Sequence, residues 1–319
     1  MNYRNQYTYE NEKSKIFKVL KWKEDSILKV IIGKEIGMCK EIRNAISEAE
    51  YLLTEKKYLY VLGEFVHNRQ VQDNLERKGI IKINYIDEIP PASNIVISTY
   101  GVEKKDIEYA IAKGMNIYDL TCPFIKTVQE KVEKESRRSF IIIIGNEKHP
   151  EVKSIKSYAG KNSIVIDELD EIDDALDEFQ KSGLDFVYVV SQSAFPIKKF
   201  EQLSDIIRDK FKKRNNFVMI DKTINLATDE RQRETMSIAK VVHSMVIIGG
   251  KNSYNTLRLV ETAKQFSEKV YFIETKKDLR KMNFKNVPSV GIMAGISTPD
   301  EVIADVIELF KTWGGEVGQ

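Results

Sequence analysis

This chain has only two cysteines, and both fall at the same point of a repeated pattern. Each follows an apolar run and a short loop and precedes a helical stretch: Cys39 in VIIGKEIGMCKEIRNAI, Cys122 in NIYDLTCPFIKTVQEKV. A third copy, VMIDKTINLATDERQRE, puts Asn225 in that place. As thiolates, cysteines from separate segments can hold zinc or iron, and iron–sulfur clusters prefer such ligands. A carboxamide oxygen is a neutral, hard and weak donor by comparison. A second polar set follows at matched intervals. His67, His149 and Tyr254 each stand four residues after a glycine that ends an apolar run, namely Gly63, Gly145 and Gly250. Third runs end at Ser98, Ser191 and Ser297. Together with Asn68, Tyr100, Gln192, Ser193, Thr228, Ser253 and Asn255, these side chains suit a phosphate or diphosphate if they lie at helix N-termini with free backbone N–H groups. Glu151 is the sole carboxylate at a repeat-matched loop start, which makes it the natural proton donor or acceptor. A lone thiol is often just a small buried apolar group, and a serine after a strand often just a cap. Matched placement in the copies is what argues for a shared site.

The elements that must carry these loops are legible. Unbroken apolar runs (YLYVLG, FIIIIG, FVYVV, SMVIIG) suit parallel strands covered on both faces. Helical stretches such as KKFEQLSDIIRDKFKK and PDEVIADVIELFKTW separate them, so the class is α/β. The repeat is too long for a solenoid and fits three similar α/β modules around a common centre, at 28–121, 122–221 and 222–319, after a polar arm at 1–27. In parallel sheets the ligand site lies beyond the carboxyl ends of the strands, so all these loops can face one central cavity.

Composition narrows the partners. The chain has 319 residues, 42% hydrophobic and 31% charged, enough for two or three cores. A net charge of +2 gives no reason to expect a nucleic-acid or membrane partner. No apolar stretch approaches the ~20 residues that span a bilayer. The opening residues lack the apolar core of a signal peptide, and a cytoplasmic protein is expected. In that reducing compartment two cysteines argue against a structural disulfide.

In order along the chain, GMC, EFVHNRQV, STYGV, DLTCP, HPEV, SQS, TINLATDERQ, GGKNSYNTLRL and MAGISTPDEV resemble the motifs of the hydroxymethylbutenyl diphosphate reductase family, which closes the non-mevalonate isoprenoid pathway. The resemblance covers nearly everything but the first 27 residues. It implies a pseudo-threefold trefoil of modules around an iron–sulfur cluster held by three cysteines. An open iron would face the substrate's allylic hydroxyl, which two one-electron steps and proton delivery remove as water. Ferredoxin or flavodoxin would supply the electrons. Carried over, Cys39 and Cys122 fall on the first two ligand positions, and Glu151 falls on the proton-delivering acid. Ser193 stands where the family has a threonine. His67, His149, Ser253, Asn255 and Ser297 fall on diphosphate-binding positions, and Thr228 lies just after the third ligand position.

Three inner positions depart from the family. Asn225 replaces its third cysteine, Tyr100 a histidine and Tyr254 a serine. The cofactor expected is a four-iron cluster on only two cysteines, Asn225 being a weak or lost ligand; a two-iron or metal-free site stays open. The function expected is reductive removal of an allylic hydroxyl from a small diphosphate, giving isopentenyl and dimethylallyl diphosphate or a related product. The alternatives are a non-catalytic diphosphate-binding or sensing relative and an iron–sulfur reductase with a different small substrate.

Overall fold

A computed structural model describes residues 28–212, 216–282, 284 and 287–318. The polar arm expected at 1–27 lies outside the described residues. Among the described residues, thirteen strands alternate with helices. The strands are β1 (Lys29–Ile32), β2 (Leu59–Leu62), β3 (Ile80–Ile83), β4 (Asn94–Ile97), β5 (Asn116–Asp119), β6 (Phe140–Ile144), β7 (Ser163–Ile166), β8 (Phe186–Ser191), β9 (Phe217–Ile220), β10 (Ser244–Ile248), β11 (Lys269–Ile273), β12 (Ser289–Ala294) and β13 (Glu316–Gly318). They form three wholly parallel sheets, ordered β3-β2-β4-β5, β7-β6-β8-β9 and β11-β10-β12-β1-β13.

Each sheet has an apolar cluster on each face. Strand β6, FIIII, is buried along its whole length, and so are β10 and β12. That is why these runs show no polar alternation. Around β6 and β8, Ile142 and Val189 pack into one cluster while Ile141 and Val190 pack into the other. The fold is therefore three α/β modules, as expected.

One strand crosses between modules. β1 lies at the start of the first module in sequence, yet it pairs with β12, Ile31 opposite Gly291. The reason is visible in the strand orders. β5 and β9 stand fourth in the first two sheets, and β1 takes the equivalent place beside β12 in the third. β13, from the other end of the chain, pairs on the far side of β1 and closes that edge. Each strand that leads into Cys39, Cys122 or Asn225 thus belongs to one module, while the helix that follows packs in the next. Among the described residues no helix is long and apolar enough to cross a membrane.

Candidate active site

Cys39, Cys122 and Asn225 each occupy a helix N-cap. They precede α1 (Lys40–Glu55), the helix Pro123–Glu135 and the helix Leu226–Ala239, respectively. Each is tethered by its own backbone N–H to the loop after a buried strand of the preceding sheet: Cys39 to Ile296 O at 3.0 Å, Cys122 to Thr99 O at 3.0 Å, Asn225 to Ser193 O at 2.9 Å. The threefold pattern read from sequence is therefore also a threefold pattern of hydrogen bonds. Cys39 Sγ accepts from the Ile42 N–H at 3.5 Å, and the Phe124 and Ile125 amides face the Cys122 sulfur. Helix N-termini favour negative charge, so these caps suit anionic ligands. The two thiols are half-buried and close enough to act on one another electrostatically. Burial pushes the Cys39 thiol up to about 11 and raises Cys122 as well. Both are therefore thiols until a metal or base takes the proton.

Rings from all three modules meet beside them. His67 stacks on Tyr100 with centroids 4.4 Å apart, and His149 stands edge-on to both at 5.4 Å. Tyr254 meets His149 at 5.6 Å. The His67 N–H donates to the Tyr100 hydroxyl at 3.0 Å, and Ser297 Oγ donates to the His67 carbonyl at 3.4 Å. Burial holds His67 below the usual imidazole range and takes His149 down to about 3, so both rings are neutral near pH 7. The Glu151 N–H donates to His149 Nδ1 at 3.2 Å, which leaves the ring proton on Nε2.

Glu151 is 3% exposed, and its carboxyl accepts from the Ser193 N–H at 2.6 Å and Ser193 Oγ at 2.9 Å. Those bonds favour the charged form, but burial outweighs them and raises the carboxyl to about 7. Its charge also reaches Cys122, so acid and thiols share one space. In the third module Ser253 caps the helix Tyr254–Lys264, accepting from the Thr256 N–H at 3.3 Å. Thr228 Oγ1 donates to Asn255 Oδ1 at 3.5 Å. Asn68 caps Arg69–Lys78 through its Oδ1, and Gln192 Oε1 accepts from the Asn146 N–H at 3.1 Å.

Several residues that the sequence reading passed over lie here. Arg258 rests on the Tyr254 ring, 4.3 Å from its centroid, and donates to its hydroxyl. Arg231 is 5% exposed, donates to Ala294 O at 3.3 Å, and lies near enough to Cys39 to feel its charge. Glu41, exposed at the start of α1, is near enough to act electrostatically on both Cys39 and Cys122. A run such as TDERQRE reads as a solvated helix face, so nothing in it marks Arg231 as buried. Buried polar atoms without partners include Gln192 Nε2, Thr256 Oγ1, Arg231 Nε and Arg258 Nε, all in or beside these loops. Buried polar atoms are ordinarily hydrogen-bonded, so each of these has an unmet bonding capacity.

The donor set is a partial fit to an iron–sulfur group. Two neighbouring thiols suit it. Asn225 fits less well, because its Oδ1 already accepts from the Ala227 N–H at 3.0 Å. Among the described residues, no three His, Cys, Asp or Glu side chains stand ready gathered for a metal ion.

The family model described as LytB protein matches residues 30–311. A 4-hydroxy-3-methylbut-2-enyl diphosphate reductase from Caldanaerobacter subterraneus is 33% identical over 294 residues, covering 91% of this chain and 99% of that protein. The protein of the same name from Campylobacter hominis is 35% identical over 289 residues, covering 89% and 99%. Among solved structures, a (E)-4-hydroxy-3-methyl-but-2-enyl diphosphate reductase matches with TM-score 0.64 and 31% identity, over 90% of this chain and 100% of that one. A reductase from Plasmodium falciparum matches with TM-score 0.81 over 92% of each chain; at 23% identity it speaks for the fold alone.

Proposed function

Because the chain belongs to the LytB protein family, we propose that it is a reductase of 4-hydroxy-3-methylbut-2-enyl diphosphate. In that reaction the allylic C–O bond breaks, two electrons and two protons enter, and the hydroxyl leaves as water. The products are isopentenyl and dimethylallyl diphosphate. An iron–sulfur cluster held by Cys39 and Cys122 would supply the electrons one at a time, replenished by a reduced ferredoxin or flavodoxin. The observation that carries the reading is Glu151: a carboxyl 3% exposed, held by Ser193 at 2.6 and 2.9 Å, raised to about 7 and near enough to Cys122 to act on it.

The chain's own residues support the remaining steps. Glu151 holds a proton at neutral pH and is aimed by Ser193. The neutral His149 offers Nε2–H, and Ser253, Asn255 and Ser297 offer hydroxyl and amide donors to the diphosphate. The stacked rings exclude water from the hydroxyl that leaves. Tyr100 and Tyr254 bring no positive charge, while Arg258 places a cation against the Tyr254 ring.

The test is anaerobic reconstitution with iron and sulfide, followed by assay with the allylic diphosphate and a reduced donor. The expected result is iron- and sulfide-bearing protein that releases the two isomeric diphosphates. Colourless protein that binds pyrophosphate without turning over would replace this reading with that of a non-catalytic binding relative. Asn225 is the feature favouring that second reading, because it removes one anionic ligand.

A further inference from the structure

The interfaces between modules are not sealed alike. Seven residues past the caps stand Ile46, Gln129 and Gln232; five past His67, His149 and Tyr254 stand Gln72, Ser154 and Leu259. Ile46 and Leu259 pack into apolar clusters, and Gln72 turns to its own module, accepting from the Phe65 N–H at 3.0 Å. Of these six, only Gln129 and Ser154 bond to one another, and they do so against a loop of a different module. We infer that Gln129 and Ser154 are positioning residues of the site: from the second module they hold the first module's Tyr100 loop, and with it the ring stack beside the diphosphate, in place. This rests on the reductase reading above.

Loop 98–102 follows β4 and is tied to the second module on both sides of Tyr100. The Cys122 N–H donates to Thr99 O at 3.0 Å, and Ser154 Oγ donates to Val102 O at 3.0 Å. Gln129 Nε2 donates in turn to Ser154 Oγ at 2.5 Å, which commits the serine proton to Val102. Gly101, between the ties, has φ +76°, and a Cβ there would lie 2.6 Å from Ser154 Oγ and 2.7 Å from Gln129 Nε2. The loop backbone thus rests directly on the pair. Tyr100 stacks on His67 and takes its N–H, so a shift of this loop is a shift of both rings. The helices that supply the pair, Pro123–Glu135 and Pro150–Ala159, begin at Cys122 and His149, so one frame carries a thiol, the acid Glu151 and the grip on the rings.

Packing alone does not require this pair. Ser154 is wholly buried and Gln129 is 6% exposed, and buried polar groups are costly unless bonded. Leu259 fills the matching place in the third module with apolar contacts only. An apolar contact tolerates sliding, whereas a satisfied buried hydrogen-bond chain admits one arrangement. The directional contact stands where the adjoining loop presents a ring to the site.

The experiment titrates inorganic pyrophosphate into the full chain by calorimetry, as wild type, Ser154→Ala, Gln129→Met and the double variant. The thermal midpoint of each is measured, and the His67 imidazole is titrated by proton resonance. Ser154→Ala is expected to weaken pyrophosphate binding by about 10-fold, with His67 moving toward the ordinary imidazole range as its stacking partner loosens. It should also lose midpoint, because Val102 O and Gln129 Nε2 are left without partners. The double variant removes the orphaned amide and should regain most of that midpoint, yet bind pyrophosphate as weakly as Ser154→Ala. Affinity that returns together with the midpoint makes the pair ordinary packing and overturns the assignment. Ser154→Ala with wild-type affinity and an unchanged His67 overturns it too, and both results leave the reductase reading intact. Wild-type protein that binds no pyrophosphate overturns both.

Discussion

At Glu151, burial and hydrogen bonding pull in opposite directions, and the balance sets when the group can act. The carboxyl lies about midway in its titration at neutral pH, raised from 4.5 to about 7 by burial. As a proton donor it is competent below that value and loses the proton as the pH rises through it. Turnover should therefore fall across about pH 7. Glu151→Gln keeps the acceptor for the Ser193 N–H but has no proton to give, so turnover should drop by about 100-fold or more while iron and sulfide content stay at the wild-type level. An unchanged rate would move proton delivery to another group. Stability supplies an independent check. The native state holds this proton more tightly than the unfolded chain, so the group's contribution to stability is full below the unfolded value and declines as the pH rises toward 7. Glu151→Gln should thus gain in thermal midpoint relative to wild type between about pH 5 and about pH 8. His149 contributes the opposite slope, but to both proteins, and cancels in the comparison. A gap between the two midpoints that does not change with pH would mean that Glu151 is solvated.

At the scale of elements, the helix Leu226–Ala239 does more than present Asn225. Its Glu234 accepts from the Lys34 and Glu35 N–H groups at 2.7 and 2.8 Å, gripping the loop that leads to Cys39. One turn earlier, Arg231 holds the carbonyl of Ala294, two residues before the Ile296 carbonyl that tethers Cys39. The third module lacks a thiol yet fixes the position of the first module's. Glu234→Ala should cost about 1 kcal/mol of stability, given the exposure of the two bonds, and should reduce iron retention more than its stability loss alone predicts. Parallel losses in iron and stability would make Glu234 an ordinary surface anchor. This clamp was not legible in the sequence, because a Glu in TDERQRE has the same local signature whether it faces water or a loop from the other end of the chain. The strands were legible for the opposite reason. A run like FIIII has no polar face to show, and only burial on both sides tolerates it. The caps were legible through repetition, since Cys39, Cys122 and Asn225 follow the same strand and loop in every copy.

For the whole molecule, what had to be learned from the structure was closure. The sequence implies three equal units, but equality in sequence does not say that β1 will cross to the third sheet and leave each ligand loop spanning two modules. A site built on crossings depends on how closely the modules approach. Near the rings the first and third modules approach closely, where Asn252 Nδ2 donates to Glu64 Oε2 at 2.7 Å and Gln70 Nε2 to Glu274 O at 2.8 Å. Between those bonds Gly250 faces the His67 backbone. A Cβ added there would lie 2.5 Å from the His67 carbonyl oxygen, and a backbone atom cannot swing aside as a long side chain can. Gly250→Ala must therefore displace one module from the other. The expected cost is about 1–3 kcal/mol, as for other overpacked contacts, with a rise in KM for the diphosphate because His67 and Ser297 move with that backbone. A Gly250→Ala protein with unchanged midpoint and KM would show that the modules already stand further apart, and that the ring cluster does not depend on their closure.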